Sequence, residues 1–244
     1  MRREPAGRVR RAEVRSLLAE LSWPEVKQRA SDGAMLAIPV GSTEQHGPHL
    51  PLSTDTDIAV ALCKRLAQQR SDVLVAPAVP YGSSGEHAGF AGTLSIGQAA
   101  TEQLVVELVR SATETFRQVL LVSAHGGNAE AISRAVATLQ AESRDVLLFQ
   151  PRWAGDPHAG STETSLQLLL HPWLVAYERA AAGNIRPLPE LMPEIMRGGV
   201  RAVSPNGVLG DPVGATATEG NEVFAQLVAQ LSEQVETWRS ACRE

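Results

Sequence analysis

Carboxylates and imidazoles crowd into one short stretch of this chain, GSTEQHGPHLPLSTDTD at residues 41–57, which carries Glu44, His46, His49, Asp55 and Asp57 among glycine and prolines. In extended backbone, residues i and i+2 face the same way, so Glu44 and His46 can converge on one place. A carboxylate has two oxygens, and Asp55 can therefore bridge two cations. Asp55 and Asp57 also stand just before a segment of helical periodicity, where Asp is a good N-cap, and both readings stay open. Further along, Glu86 and His87, SAHGGN (123–128) and HAGSTETS (158–165) add His125, His158 and Glu163 to the metal-capable set. The glycines after His125 let backbone approach an ion or substrate closely, although the same string also reads as a plain strand-to-helix turn. Glu163 reads either as a ligand or as the acid that a helix favours in its first turn. His171, beside Pro172, reads as structural, and His49 either as a partner behind the ligands or, by preference, as exposed. Imidazoles mixed with carboxylates suit Zn²⁺, Fe²⁺ or Mn²⁺. The absence of any cysteine pair argues against a structural zinc. No G-x-S-x-G elbow and no Walker A loop occurs.

The elements that must position these groups alternate regularly. GAMLAIPV (33–40), DVLVAPAVPYG (72–82), QVLLVSAH (118–125) and DVLLFQPRW (145–153) are apolar runs expected to be strands buried on both faces. Between them, 57–69, 98–116 and 129–143 have helical spacing. Strands that alternate with helices of this length imply crossovers and a mainly parallel sheet. The expected fold is thus α/β, a single-domain three-layer α/β/α. In such sheets, sites form beyond the carboxyl ends of the strands. Glu44 and His46, Glu86 and His87, His125, and His158 with Glu163 each follow one of the four predicted strands. After a further helix near 163–170, residues 183–215 are rich in Gly and Pro and read as a surface wrap. A last helix is expected over 216–238, with Thr216 and Glu219 as a capping box.

The bulk composition excludes several classes. The chain has 244 residues, 43% hydrophobic and 20% charged, with a formal net charge of −5. That balance gives no reason to expect nucleic acid or an anionic membrane as partner. Arginines at 2, 3, 8, 10, 11 and 15 make the start basic, and residues 1–14 read as a disordered tail ahead of a domain at 15–244. No apolar run reaches the roughly 18 residues of a membrane span. Cys63 and Cys242 share no motif, which fits a reducing cytoplasm and a chain without disulfides.

Taken together, PVGSTEQHGPHLPLSTD, HAGFAGTLS, AHGGN and HAGSTETS resemble the creatininase family, whose pattern runs PxGSxEQHGPHLPLxTD, HxxFPGTxS, GHGGN and HAGxxETS. The match extends from about residue 20 to 240. The resemblance implies a creatininase-like fold, a homo-oligomer and a hydrolase of C–N bonds that uses two divalent metal ions per subunit, Fe²⁺ or Zn²⁺, with Mn²⁺ as a third choice. It implies that Glu44 and His125 hold one metal, His46 the other, and that Asp55 bridges. His158 falls where a proton-transfer group belongs. Two departures stand out. Ala91 replaces the family proline, and Gly127 replaces a carboxylate that creatininase carries two residues after its histidine. Glu163 is the candidate replacement, as metal ligand or catalytic group. Beyond the family level, 191–224 resembles a branch that trims a radical-modified precursor peptide. That implies a modified precursor peptide as substrate, release of its cross-linked terminal Val-Tyr unit, and a place in redox-cofactor biosynthesis. The alternatives are an amidohydrolase of the same family acting on a small cyclic or formyl amide, and a metal-dependent binding protein without activity.

Overall fold

The run MLAIPV, Met35–Val40, is buried at every position, as a strand between two helical layers must be. In the computed structural model of this protein, residues 15–241 are described. The basic tail read at 1–14 and positions 242–244 of the expected domain lie outside them. In chain order the elements are α1 (Trp23–Ser31), β1 (Met35–Val40), α2 (Thr54–Gln69), β2 (Val73–Val75), α3 (Gly97–Ala112) and β3 (Gln118–Ser123), then α4 (Ala129–Ala141), β4 (Asp145–Phe149), α5 (Ser161–Leu170), α6 (Leu188–Gly198), α7 (Val200–Val203) and α8 (Ala217–Ala241).

The sheet is parallel throughout, in the order β2-β1-β3-β4. Alternation along each strand feeds two separate cores. Leu36, Ile38 and Val40 pack with Val105, Val109, Ile132 and Leu139 of α3 and α4. Met35 and Ala37 face the other way, onto Ile58, Leu62, Leu166, Phe224 and Leu231 of α2, α5 and α8. Leu120 and Leu121 are neighbours in β3, yet each is fully buried in a different core. Truncating either to alanine would cost about 2–5 kcal/mol. The expected three-layer α/β/α architecture is the one observed. From β1 the chain runs to β2 on one side of the sheet, whereas β3 leads to β4 on the other. The switch point lies between the carboxyl ends of β1 and β3, where a parallel sheet opens a crevice.

Three expectations need correction. The strand expected over 72–82 is three residues long, followed by isolated bridges from Val79 to Val40 and from Gly82 to Ser95. Pro77 and Pro80 supply no ladder N–H. The surface wrap expected over 183–215 contains α6 and α7. Pro189 stands in the first turn of α6, where its missing N–H costs nothing. Pro193 sits inside the helix, which is held instead by burying Leu191 and Ile195 against Val200 and Leu209. At the start of α8, Thr216 Oγ1 accepts from the Glu219 N–H, 3.2 Å. The Glu219 carboxylate turns away to Ser165 Oγ, 3.1 Å. The complete capping box lies at α1, between Ser22 and Glu25.

Candidate metal centre

Glu44 lies in the loop just beyond β1 and is wholly buried. Its Oε2 lies 3.1 Å from His125 Nε2, and its Oε1 lies 3.3 Å from His87 Nε2 and 3.8 Å from His158 Nδ1. None of these approaches has hydrogen-bond geometry: among the described residues, both Glu44 oxygens lack a hydrogen-bond partner. An ionised group in that state is costly unless a cation compensates it. Burial pushes the Glu44 carboxyl up to about 7 despite the pull of His125.

Asp55, in the first turn of α2, is the pivot. Its Oδ1 is 3.2 Å from His46 Nε2, and its Oδ2 is 3.2 Å from His125 Nδ1. Ser42 Oγ donates to Oδ2 at 2.6 Å. These partners lie outside the helix, so Asp55 is not a cap. The residue at the cap position is Ser53, and Asp57 is engaged by Ser53 Oγ and Gln167 Nε2. Burial would raise the Asp55 carboxyl, yet His46 and His125 hold it well below the usual carboxylate range.

The imidazoles are pointed by backbone carbonyls. His46 Nδ1 sits 3.2 Å from Glu44 O, which accepts its proton and leaves Nε2 facing Asp55 and, at 3.9 Å, Glu163 Oε2. His125 Nε2 sits 2.9 Å from Ser83 O, which leaves Nδ1 toward Asp55. A ring nitrogen held by an outer carbonyl with the other aimed inward is the usual arrangement of a metal-bound histidine. Burial would lower His46, but Asp55, Glu163 and Glu44 raise it to about 10. His125 is likewise raised to about 10, by Glu44 and Asp55 against burial. The cluster thus attracts positive charge strongly. Glu163, in the first turn of α5, accepts from the Ala159 N–H at 2.6 Å, and burial raises its carboxyl to about 7.

Three groups of donors lie close enough to hold a metal ion: Glu44, Asp55 and His125; His46, Asp55 and Glu163; and Glu44, His46 and His158. All six residues singled out as site candidates therefore meet in one buried cluster. The donor set, three carboxylates and three imidazoles without sulfur, fits a borderline divalent cation. A cleft of about 420 Å³ opens onto Asp55, His125, His158 and Glu163, with Arg152 and Trp153 on its wall.

Other placements depart from the sequence reading. His49 is buried rather than exposed, with its Nε2 2.8 Å from Thr164 Oγ1. His171 stands apart, beside Asp57 and Trp173. His87, read from the sequence as a strand-end group, belongs to the cluster, its ring centroid 4.4 Å from that of His158 with the planes tilted by 41°. Its position after the second strand was the available signal. Ser42 and Gln45, also part of the site, carry no such signal. At Gly127, an added Cβ would lie 2.3 Å from Glu86 Oε1 and 2.5 Å from His125 Nε2. A side chain at this position is sterically excluded, and the Glu86 carboxylate fills the space. Asn128 explains the rest of the GGN string. It accepts from the Ser83 N–H and donates to Gly41 O, tying the end of β1 to the loop that follows β2.

The family model described as creatininase, creatinine amidohydrolase, matches residues 19–235. A curated mycofactocin precursor peptide peptidase of Mycobacterium tuberculosis (strain CDC 1551 / Oshkosh) is 47% identical over 237 residues, 91% of this chain and 92% of its own length. The protein of that name from Mycolicibacterium smegmatis is 48% identical over 216 residues, 84% of this chain and 85% of its own. Among solved structures, a creatinine amidohydrolase (creatininase) superposes with a TM-score of 0.76 at 25% identity, covering 91% of this chain and 97% of its own. With its parallel sheet, its buried donor cluster at the switch point and these likenesses, the chain belongs to the creatininase family.

Proposed function

We propose that this protein is a metal-dependent peptidase that hydrolyses an amide bond in the mycofactocin precursor peptide. The substrate assignment rests on the curated relatives at 47% identity. The chemistry rests on one observation: Asp55 is common to two donor groups and turns its oxygens in opposite directions, Oδ1 toward His46 and Oδ2 toward His125. In this reading His46, Asp55 and Glu163 would hold one divalent ion, and Glu44, Asp55 and His125 would hold the other. Zn²⁺, Fe²⁺ and Mn²⁺ all suit these ligands. Bound divalent ions supply Lewis-acid polarisation of the scissile carbonyl and water of lowered pKa.

The chain's own residues do the rest. His158 presents Nδ1 to the cluster, and burial together with His46 lowers its pKa well below the ordinary value. It is therefore neutral near pH 7 and can accept the proton of the attacking water at Nδ1, then deliver it to the leaving amine. Glu163, facing the same cleft, would serve as a ligand beside His46 and Asp55 rather than moving the proton. Trp153 offers an apolar wall to the incoming chain end, and closing substrate against it excludes water. No helix among the described residues is long and apolar enough to cross a membrane, and the proposed setting is the cytoplasm, as a homo-oligomer.

The test is incubation of the radical-modified precursor peptide with metal-loaded protein, followed by mass spectrometry. Release of the cross-linked Val-Tyr unit is expected, with creatinine left intact. Turnover of creatinine or another small cyclic amide, with the peptide untouched, would overturn the substrate assignment while leaving the metal chemistry in place.

A further inference from the structure

Gln45 lies between the two residues that open the cluster and is itself buried. Its side-chain amide has an orientation settled by two partners with one role each. The Gly47 N–H can only donate and lies 2.8 Å from Oε1. Gly207 O can only accept and lies 3.0 Å from Nε2. The amide nitrogen has two hydrogens but three neighbours: Gly207 O, His87 Nδ1 at 2.8 Å and His158 Nε2 at 3.0 Å.

The conflict resolves through the backbone. His158 Nε2 is also 2.9 Å from Gln45 O, an obligate acceptor. A bare nitrogen there would set lone pair against lone pair, so His158 carries a proton on Nε2 and donates it to that carbonyl. The second amide hydrogen then goes to His87 Nδ1, which must be bare. His87 consequently holds its proton on Nε2, the nitrogen beside Glu44 Oε1.

We infer that Gln45 is a positioning residue that sets the tautomers of both histidines: His87 becomes a proton-bearing neighbour of Glu44 that cannot ligate through Nε2, and His158 is left with Nδ1 toward Glu44 and His46. The same amide links this pair to the loop at 204–209. Gly207 has φ +81°, and a Cβ there would fall 1.9 Å from Gln45 Oε1, so that loop presses directly on the group that orients the histidines. The consequence for turnover rests on the peptidase reading of His158; the tautomer assignment does not.

The experiment uses zinc-loaded protein with ¹⁵N-labelled histidine and long-range ¹H–¹⁵N correlation. In the unaltered protein His87 should show a bare Nδ1 and a protonated Nε2. Gln45→Glu keeps the shape and the Gly47 contact but has no donor for His87, so the His87 pattern should invert or gain a second proton. On the modified peptide, kcat should fall roughly 10–100-fold, with KM and bound zinc unchanged. Gly207→Ala displaces the same amide from the loop side and should reproduce the histidine change; it carries both readouts should Gln45→Glu fail to fold. A proton on His87 Nδ1 in the unaltered protein would overturn the inference. So would an unchanged His87 signal in the variants, or a loss of kcat that follows loss of zinc. Since the histidine signals need no substrate, a wrong substrate assignment would leave them standing.

Discussion

Asp55→Asn is the sharpest perturbation of the proposed centre, because it keeps the shape of the side chain and removes its charge. Asp55 is 2% exposed, so solvent cannot make up for what is lost. Each of its oxygens lies 3.2 Å from an imidazole nitrogen. At that distance two unit charges in a medium of effective dielectric near 20 attract by on the order of 5 kcal/mol. Removing one partner of a buried charged pair costs about 3–5 kcal/mol, and 1.4 kcal/mol is a factor of ten in affinity. Affinity for divalent ions should therefore fall by roughly two to four orders of magnitude. Both ions should be affected, because Asp55 belongs to both donor groups. Its carboxylate bonds to Ser42 outside the helix, and α2 starts at Thr54 behind Ser53, so the helix should survive. The assay is metal content by mass spectrometry after dialysis, alongside peptide hydrolysis and far-UV circular dichroism. Full metal occupancy with a native spectrum would refute the bridging role, and Asp55 would then be a residue that only orients His46 and His125.

His158→Ala should lower kcat by about 10²–10⁴-fold with metal content near normal. Because His158 also lies in a donor group with Glu44 and His46, loss of metal in this variant would move it into the ligand set. Glu163→Gln keeps an acceptor for the Ala159 N–H but removes the charge beside His46, so calorimetric titration should show one tight and one weakened site; two unchanged sites would leave Glu163 without a ligand role. Chelation should unmask a pH effect. His46 and His125 are raised to about 10 from an ordinary 6.5, so the stability they give the metal-free protein is complete below 6.5 and is lost as pH rises through about 10. The gap in Tm between metal-loaded and chelated protein should widen from about pH 7 to 9, and a constant gap would count against the cluster's charge balance. On the surface, hydrogen bonds from Arg110 and Arg144 hold Glu142 at about 2, against an ordinary 4.5. That contribution is present above 4.5 and lost as pH falls toward 2, so Glu142→Gln should lower the urea midpoint near pH 7 and flatten its dependence across that window, the two proteins converging toward pH 2.

What could be read from the sequence and what could not divide along a physical line. β1, β3 and β4 were legible because a strand packed between two helical layers is a continuous apolar run, and each has at least four consecutive apolar residues. The approximate place of the site followed as well, since parallel strands point their carboxyl ends to one edge and His125 stands at such an end. What short-range pattern could not carry was anything decided by a partner distant in the chain. Pro193 breaks a helix by local rules, yet α6 forms because Leu191 and Ile195 find Leu209. His49 lies among prolines in what reads as a loop, yet it is buried against Thr164, 115 residues later. Gln45 is the extreme case: an amide between two metal-capable residues has no chemistry to announce it, and its role comes from Gly207, 162 residues away. The cluster therefore has two layers of legibility. Its ligand candidates declare themselves by residue type, since carboxylate and imidazole are metal-binding groups wherever they stand. Its orienting groups (Ser42, Gln45, Ser83 and Gly207) are defined by hydrogen bonds that exist only once the chain is folded. A sequence reading of such a centre recovers the ligands and leaves out the contacts that aim them.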